Sequence, residues 1–476
     1  MTVLDEISKA VDERGKEFTA LSDQIWDNPE LRWNEFAAVA AQTEAAERAG
    51  FTVKRQVAGI PTAFAAEYGT GGPVIAILGE YDSLAGLSQE SGVAARQPDP
   101  ASESANGQGC GHHLLGTGSL LAAVAVARFL DSNGLPGRVR YYGCPAEEAA
   151  AGKTFMVKGG AFADVDAAVS WHPSSVTGVM SMNVLAYCQA YFSFAGVAAH
   201  AGASPWLGRS ALDAAELMNV GVNFLREHMP PDSRIHYAFV DSGGPSPNVV
   251  QSTARLYYLV RAPDVAQVRA LYERVVKIAE GAALMTETSL EVEFDGGSAE
   301  LLPNVVLDQA MHDIAVRLGP VPFDDADRSL ARPFLATVGP AEVEMTRAMA
   351  GIAASDASPL HEGIVPFDAT APRPRMGGST DVGDVSWVVP TVQCGGAVAA
   401  LGTPAHSWQL VAQGKMAAAH KGMIHAAKIM GSTAASLLTD DALLTRAREE
   451  FDTRIARRPY DSPIPDGVVA PPLRAR

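Results

Sequence analysis

A handful of short motifs gather side chains able to bind metal ions or move protons. Gly109-Cys-Gly-His-His113 sets a thiol and an imidazole two positions apart, where a polar, glycine-rich loop meets a helix pattern. Thiolate and imidazole both suit zinc-like ions, so Cys110 and His112 could be aimed at one metal. A buried cysteine beside a helix-capping histidine would use the same residues. Pro145-Ala-Glu-Glu148 follows an apolar strand pattern. Like charges so placed raise one pKa, which would let one carboxylate bind metal while the other serves as a base. The alternative is a solvated helix N-terminus, where the dipole favours acidic residues. Trp171-His-Pro173 ends another apolar run with an imidazole. His200, within Ala198-Ala-His-Ala-Gly-Ala-Ser204, could stabilise a developing oxyanion or simply be a hydrogen-bonded loop residue. His406, on the Gly/Pro loop Gly402-Thr-Pro-Ala-His-Ser-Trp408, could complete a metal shell. His113, His228, His236, His312, His361, His420 and His425 have no evident partner and read as structural or solvated.

Other chemistries fail on their spacing. Ala151-Gly-Lys-Thr154 ends like a phosphate loop, but Glu147 stands where the first glycine of GxxxxGK[ST] belongs, so the cradle is missing. There is no GxSxG elbow and no HExxH helix. Gly107-Gln-Gly109 runs on to His112 rather than to a third glycine, which removes the dinucleotide fingerprint.

The elements that must carry these motifs alternate. The 476 residues, 47% hydrophobic and 19% charged, can bury a large core in two or three domains at roughly 100–200 residues each. A net charge of −17 without basic tracts argues against nucleic acid and anionic membrane surfaces as partners. Four cysteines without a CxxC pair, and an N-terminus lacking a signal-peptide pattern, point to a reducing, cytoplasmic setting. Val3 to Gly50 reads as helices, and Val74–Leu78 as a central strand covered on both faces. Ser88–Gly109 is a long polar loop, followed by a buried helix over Leu114–Leu130 that is too interrupted for a membrane span. Further strands are expected at Val139–Gly143 and Ala167–Trp171. The result is an α/β fold with a central, mostly parallel sheet and ligand groups at strand ends. From Val184 the texture becomes a smaller α+β insert: strands near 187–196, 254–260 and 290–294, and helices near 210–227 and 265–282. The chain then divides as 1–183 (first part of the main domain), 184–298 (insert) and 299–476 (second part), the last with a strand at Thr391–Gln393 and one long helix over Gln413–Leu438. Ser462–Arg476, rich in proline, is expected to lie extended.

Taken together, Gly79-Glu-Tyr-Asp-Ser-Leu84, Gly109-Cys-Gly-His112, Pro145-Ala-Glu-Glu148, Trp171-His-Pro173, His200-Ala-Gly-Ala-Ser-Pro205, Gly377-Gly-Ser-Thr-Asp-Val-Gly-Asp-Val-Ser-Trp387 and Ala405-His-Ser407 resemble the M20 metallopeptidase family in its order, over nearly the whole chain. The likeness is to the amidohydrolase branch that includes aminobenzoyl-glutamate hydrolases and β-alanyl dipeptidases. It implies a catalytic domain interrupted by a lid that also mediates dimerisation. Two divalent ions, zinc or manganese foremost, with cobalt or nickel as alternatives, would be held by Cys110, His112, Glu148, His172 and His406, with Asp82 supporting a ligand. Glu147 would be the general base, and His200 would reach into the site of a second chain. His113 stands where the family commonly has Asp or Asn, and could support a ligand or be one. The implied reaction is hydrolysis of the amide bond of an N-acyl amino acid such as p-aminobenzoyl-glutamate. Asn248, Arg261, Ser379 and Thr380 are candidate carboxylate anchors, Arg209 and Arg375 further options, and Trp206, Tyr187 or Trp387 candidate walls for an aromatic acyl group. Two alternatives stand beside it: a dipeptidase for β-alanyl or similar dipeptides, and a catalytically silent dimer that binds a ligand or partner. The second chain would be an identical copy or a paralogue.

Overall fold

The computed structural model describes residues 1–353 and 356–471, which fall into two compact units. The first comprises Met1–Met182, Leu302–Pro374 and Val385–Tyr460; the second comprises Asn183–Leu301, Arg375–Asp384 and, of the tail, the described residues 461–471. In chain order the first unit contributes strands β1 (Thr52–Arg55), β2 (Phe64–Thr70), β3 (Val74–Glu80), β4 (Gly137–Cys144), β5 (Ala167–Ser174) and β6 (Gly178–Val179). The second contributes β7 (Ala186–Ala195), β8 (Arg234–Asp241), β9 (Thr253–Ala262) and β10 (Ser289–Ser298), after which β11 (Thr391–Ala397) returns to the first.

The first sheet has the order β1-β2-β4-β3-β5-β11-β6. Its four central strands, β4, β3, β5 and β11, run parallel, and the edges are closed by antiparallel pairings. All seven residues of β3 are buried, which is why Val74–Leu78 is apolar without alternation: both faces of a central parallel strand are covered. The helix His112–Asn133 packs on β3 and against the helices Val3–Asp27 and Ala417–Thr439. By length and composition it could cross a membrane, yet it is almost wholly buried in this core. Trp171 of β5 locks to it, its indole Nε1 donating to the Leu115 carbonyl at 2.9 Å. Gly116 lets the helix approach, because a Cβ there would lie 2.3 Å from the Glu80 carbonyl oxygen.

Two expectations are corrected. The long helix expected over Gln413–Leu438 is present but starts later: Gln413 ends the helix Trp408–Gln413 before Gly414, and the long helix spans Ala417–Thr439. The Gly414 carbonyl accepts from His113 Nε2 at 3.1 Å, and a Cβ at 414 would stand 2.8 Å from that ring, so the break seats a buried imidazole. Residues 375–384 and 461–471 pack with the second unit rather than with the returning segment. Leu185 N–H donates to the Gly378 carbonyl, Met376 N–H to that of Asn183, and Arg269 pairs with Asp461 at 2.7 Å. Residues 462–471 contain neither helix nor strand; 472–476, the end of the expected extended tail, lie outside the described residues.

The second unit is an antiparallel sheet, β10-β7-β9-β8, with the helices Ala211–Leu225 and Val265–Thr286 packed on it. Both helices start on side-chain caps, Ser210 accepting from Asp213 N–H and Asp264 from Gln267 N–H. Strand β9 alternates cleanly, burying Ala254, Leu256, Tyr258, Val260 and Ala262.

Two measurements probe this packing. Gly116→Ala should lower stability by about 1–3 kcal/mol through overpacking, whereas Gly281→Ala, in a helix with open space at its Cα, should stabilise by about 0.4–1 kcal/mol; thermal midpoints of the two variants must shift in opposite directions. The second concerns Asp308, which is buried and accepts from Ser181 Oγ at 2.6 Å; burial lifts its pKa to about 6. Its native form binds a proton more tightly than the unfolded chain does, so its contribution is most favourable below pH 3.8 and is lost as pH rises through 6. Asp308→Asn should therefore raise the midpoint above pH 6 and leave it unchanged near pH 4.

Candidate active site

The C-terminal ends of β3, β4 and β5 and two loops bring the motif residues of the first unit together. Asp82, just past β3, is the organiser. Its Oδ1 accepts from His112 Nδ1 at 2.9 Å and its Oδ2 from the Glu148 N–H at 2.8 Å. With Nδ1 bound to Asp82, His112 presents Nε2. His172 is fixed the same way, Nδ1 donating to the Pro173 carbonyl at 2.8 Å, so that its Nε2 faces Cys110 Sγ at 3.4 Å. His406 is held in a left-handed backbone conformation (φ 56°) by its N–H bond to the Gly109 carbonyl, and its Nε2 lies 3.1 Å from Glu148 Oε1. Gly111 at the helix entrance also has a positive φ, and its bare Cα clears Pro173, which a Cβ would meet at 2.9 Å.

Among the described residues, three sets of donor atoms each lie within 4.8 Å of one another: Cys110, His112 and His172; Cys110, Glu148 and His406; and Glu80, His112 and Glu147. Separations of 3.1–3.4 Å match neighbouring ligands on one ion with bonds of about 2.0–2.3 Å. Buried Glu80 Oε2, His112 Nε2 and Glu148 Oε1 make no hydrogen bond of acceptable geometry, although each faces a polar neighbour. Buried polar atoms are rarely left so. A set of thiol, imidazoles and carboxylates with orphaned lone pairs fits divalent cations. Glu147 Oε2 lies 3.8 Å from His112 Nε2, beside this cluster.

The crowding and burial of these donors shift their ionisation. Burial pushes the Cys110 thiol up, and the neighbouring Glu148 carboxylate adds to it. Burial opposes charge on His112, but Cys110 and Asp82 outweigh it and hold the imidazole well above its usual range. Burial lowers His172. Glu35, buried behind the site, accepts from the N–H groups of Trp33 and Ala146 at 2.9 and 2.8 Å, and burial together with Asp82 raises its pKa to about 8. It pins Ala146, whose φ of 56° turns the chain so that Glu147 and Glu148 follow the end of β4.

Sequence reasoning overlooked Glu80 and Lys153, both buried within this cluster, Lys153 Nζ lying 2.5 Å from Glu80 Oε1. A lysine in a rejected phosphate-loop pattern and a glutamate ending a wholly apolar strand were the available signals. His113 points away from the cluster to Gly414, and burial lowers its pKa to about 3. His361, His420 and His425 each bond a backbone or carboxylate group.

The remaining candidates, Trp387 apart, belong to the second unit, and none of the three donor sets contains His200. His200 Nδ1 accepts from the N–H groups of Gly202 and Ala203 at 3.2 and 3.1 Å, which puts the ring proton on Nε2. The Asn248 carbonyl accepts from Ala201 N–H, beside it. Arg261 donates to Ser379 Oγ at 2.7 Å and lies over the Tyr187 ring, while Thr380 Oγ1 accepts from Val382 N–H. Arg209 and Arg375 pair with Glu287 and Asp232. Trp206 is exposed; Trp387, in the first unit, is buried beneath Arg458.

Comparison with known proteins places this geometry in a family. The profile of peptidase family M20/M25/M40 matches residues 76–407. One of the p-aminobenzoyl-glutamate hydrolase subunits of Escherichia coli (strain K12) is 46% identical over 480 residues, spanning 98% of each chain. The Xaa-Arg dipeptidase of Mus musculus is 28% identical over 464 residues, 94% of this chain and 92% of its own. A crystal structure of a dinuclear metal-binding M20 peptidase from Bacillus subtilis shares the fold, with a TM-score of 0.53 at 16% identity over 90% of this chain and 99% of that one. The chain belongs to peptidase family M20/M25/M40 and is a metal-dependent amidohydrolase.

Proposed function

We propose that the protein hydrolyses the amide bond of an N-acyl amino acid of the p-aminobenzoyl-glutamate type, with Cys110, His112, Glu148, His172 and His406 holding two divalent ions. The observation that carries this is the buried convergence of these donors, several lone pairs orphaned, with Glu147 beside them. When bound, such ions supply Lewis acidity, lowering the pKa of water and polarising a carbonyl oxygen. Glu147 takes the proton of the attacking water and returns it to the leaving amine, which departs poorly as an anion. Asp82 keeps His112 in the tautomer that offers Nε2 outward and fixes the Glu148 backbone in the same act. His200, its proton on Nε2, is suited to donate to the oxyanion.

Substrate class is supported by charge and by the 46% identity to a chain of a p-aminobenzoyl-glutamate hydrolase. Arg261 with Ser379, and Thr380 and Asn248 as further polar groups, suit a substrate carboxylate; a pocket for a basic dipeptide would favour acidic residues instead. The dipeptidase reading rests on the weaker likeness to an Xaa-Arg dipeptidase. Zinc and manganese are the ions we favour. The thiols of Cys110, Cys144, Cys188 and Cys394 are buried and form no disulfide, in keeping with a cytoplasmic setting.

A second copy is the partner we favour, with a paralogous chain as the alternative, since the E. coli relative is named as one subunit of its enzyme. The docking face is the helix Ala211–Leu225, which exposes Leu217, Val220 and Phe224 at helical spacing, together with edge strand β8, which exposes Tyr237, Phe239 and Val240.

Two experiments test this reading. Protein stripped of metal and reloaded with manganese or zinc should release p-aminobenzoate from p-aminobenzoyl-glutamate, and Glu147→Gln should lower kcat by about 10²–10⁴-fold while binding as much metal. Release by the stripped protein, or full activity in the variant, would refute the mechanism; metal bound without release would favour the dipeptidase or the silent dimer. For the dimer, Glu147→Gln and His200→Ala chains, each nearly inactive alone, should recover about a quarter of wild-type activity after mixing and exchange of chains, as a shared two-fold site requires. No recovery, or an active His200→Ala variant, would remove His200 from the partner's site.

A further inference from the structure

We infer that Glu80 is a metal ligand of this centre, through Oε2, and that Lys153 is the residue that positions it. The inference rests on the metal reading above. Two independent elements meet here. Glu80 is the last residue of β3, opposite Cys144 of β4 in the parallel register, with its own carbonyl packed against Gly116. Lys153 lies in the first turn of the helix Gly152–Lys158, which begins after Ala151 at a φ of 61°. Both side chains are completely enclosed, and Lys153 Nζ holds Glu80 Oε1 at 2.5 Å.

As a stabilising device this pair is poorly made. Two buried charges offset their desolvation only when the remaining lone pairs are satisfied as well. Glu80 Oε2 is not satisfied: it makes no hydrogen bond and stands 3.2 Å from His112 Nε2, which is equally unsatisfied. A carboxylate oxygen and an imidazole nitrogen with lone pairs facing one space, about 3.0–3.5 Å apart, have the spacing of two ligands on one cation with bonds near 2.0–2.2 Å. As the neutral ring that a metal ligand must be, with its Nδ1 proton on Asp82, His112 has a lone pair and no proton to offer at Nε2. Glu147 Oε2, the base, lies beside these two atoms, 3.8 Å from His112 Nε2. Charge points the same way. With Cys110 as thiolate, the four carboxylates Glu80, Asp82, Glu147 and Glu148 and the thiolate would exceed the ammonium of Lys153 by four negative charges, which two divalent ions would balance. The ammonium holds Oε1, so Oε2 is the oxygen that would be left for an ion.

The test compares wild type, Lys153→Met and the double variant Glu80→Gln/Lys153→Met, which removes both buried charges and so leaves neither unpaired. Each is stripped with a chelator and titrated with Zn(II) in a competition assay. Co(II) absorption is read for coordination, and thermal midpoints are taken with and without ion. The double variant should lose about tenfold or more in affinity for one ion and change its Co(II) spectrum. Lys153→Met should show a larger ion-induced rise in midpoint than wild type, because the bound cation then offsets a charge that nothing else does. A double variant with wild-type affinity and spectrum overturns the assignment, leaving the pair a packing feature. Should the double variant not fold, an ion-induced shift in Lys153→Met no larger than that of wild type overturns it equally. Wild-type protein that retains no ion overturns the metal reading and this inference together.

Discussion

The site depends on one carboxylate. Asp82 lies just beyond the central strand β3 and uses its two oxygens on two different segments, the His112 ring and the Glu148 backbone. Because the helix that begins at His112 and the turn that carries Glu147 and Glu148 have no covalent reason to be near each other, this bidentate bridge sets their separation. A central parallel strand is the stiffest place to anchor such a bridge, being hydrogen-bonded on both sides and covered on both faces. The neighbouring Ser83 extends the clamp, its N–H donating to the Glu30 carbonyl at 2.8 Å and tying the segment before the helix Phe36–Arg48 to the strand end.

Around that anchor the chain stores strain. Ala146, Ala151 and His406 all have positive φ, a conformation that costs a residue with a side chain of order 1–3 kcal/mol and that clusters at functional sites. Each is held by a specific contact or position: Ala146 by the Glu35 carboxyl, Ala151 between two short helices, His406 by the Gly109 carbonyl. The apolar packing of the helix His112–Asn133 against its neighbours supplies stability that offsets these turns and the buried charges. A ligand that binds only the folded chain adds RT ln(1 + [L]/Kd), about 4 kcal/mol at a thousandfold excess over Kd, so a bound cation would counter part of the same strain.

What was legible in the sequence follows from how each signal arises. Donors in short motifs could be read because thiol, imidazole and adjacent carboxylates are rare together, and Cys110, His112, Glu148, His172 and His406 do converge. The buried strands β3, β4 and β5 and the long core helix were visible as apolar runs. Two kinds of feature were hidden. The break at Gly414 depends on a ring that comes from residue 113, some three hundred positions away, so helical periodicity alone carries straight through it. Residues 375–384 join the second unit through backbone pairing with Asn183 and Leu185, and such pairing leaves no mark on side-chain pattern. The edge strands β1 and β8 and the helix Asp441–Arg457 are largely solvent-facing, where composition says little.

Glu80 and Lys153 were hidden for a different reason. Each was seen only in its local pattern: Glu80 inside the Gly79–Leu84 motif beyond an apolar run, Lys153 in a phosphate-loop ending that lacked its first glycine. Neither pattern predicts burial, and burial is what changes their meaning, since lysine and glutamate almost never lie fully enclosed unless paired. Once both are enclosed, a pairing that leaves one carboxylate oxygen unsatisfied is no longer a complete account of why they are there. The remaining lone pair requires a positive partner, and the atom facing it is a histidine nitrogen whose other nitrogen is already committed to Asp82. The two atoms therefore share one unmet need: a proton on Nε2 would meet it as an imidazolium that keeps its Nδ1 bond to Asp82, and a cation between them would meet it with the neutral ring in the same place, its Nε2 lone pair put to use.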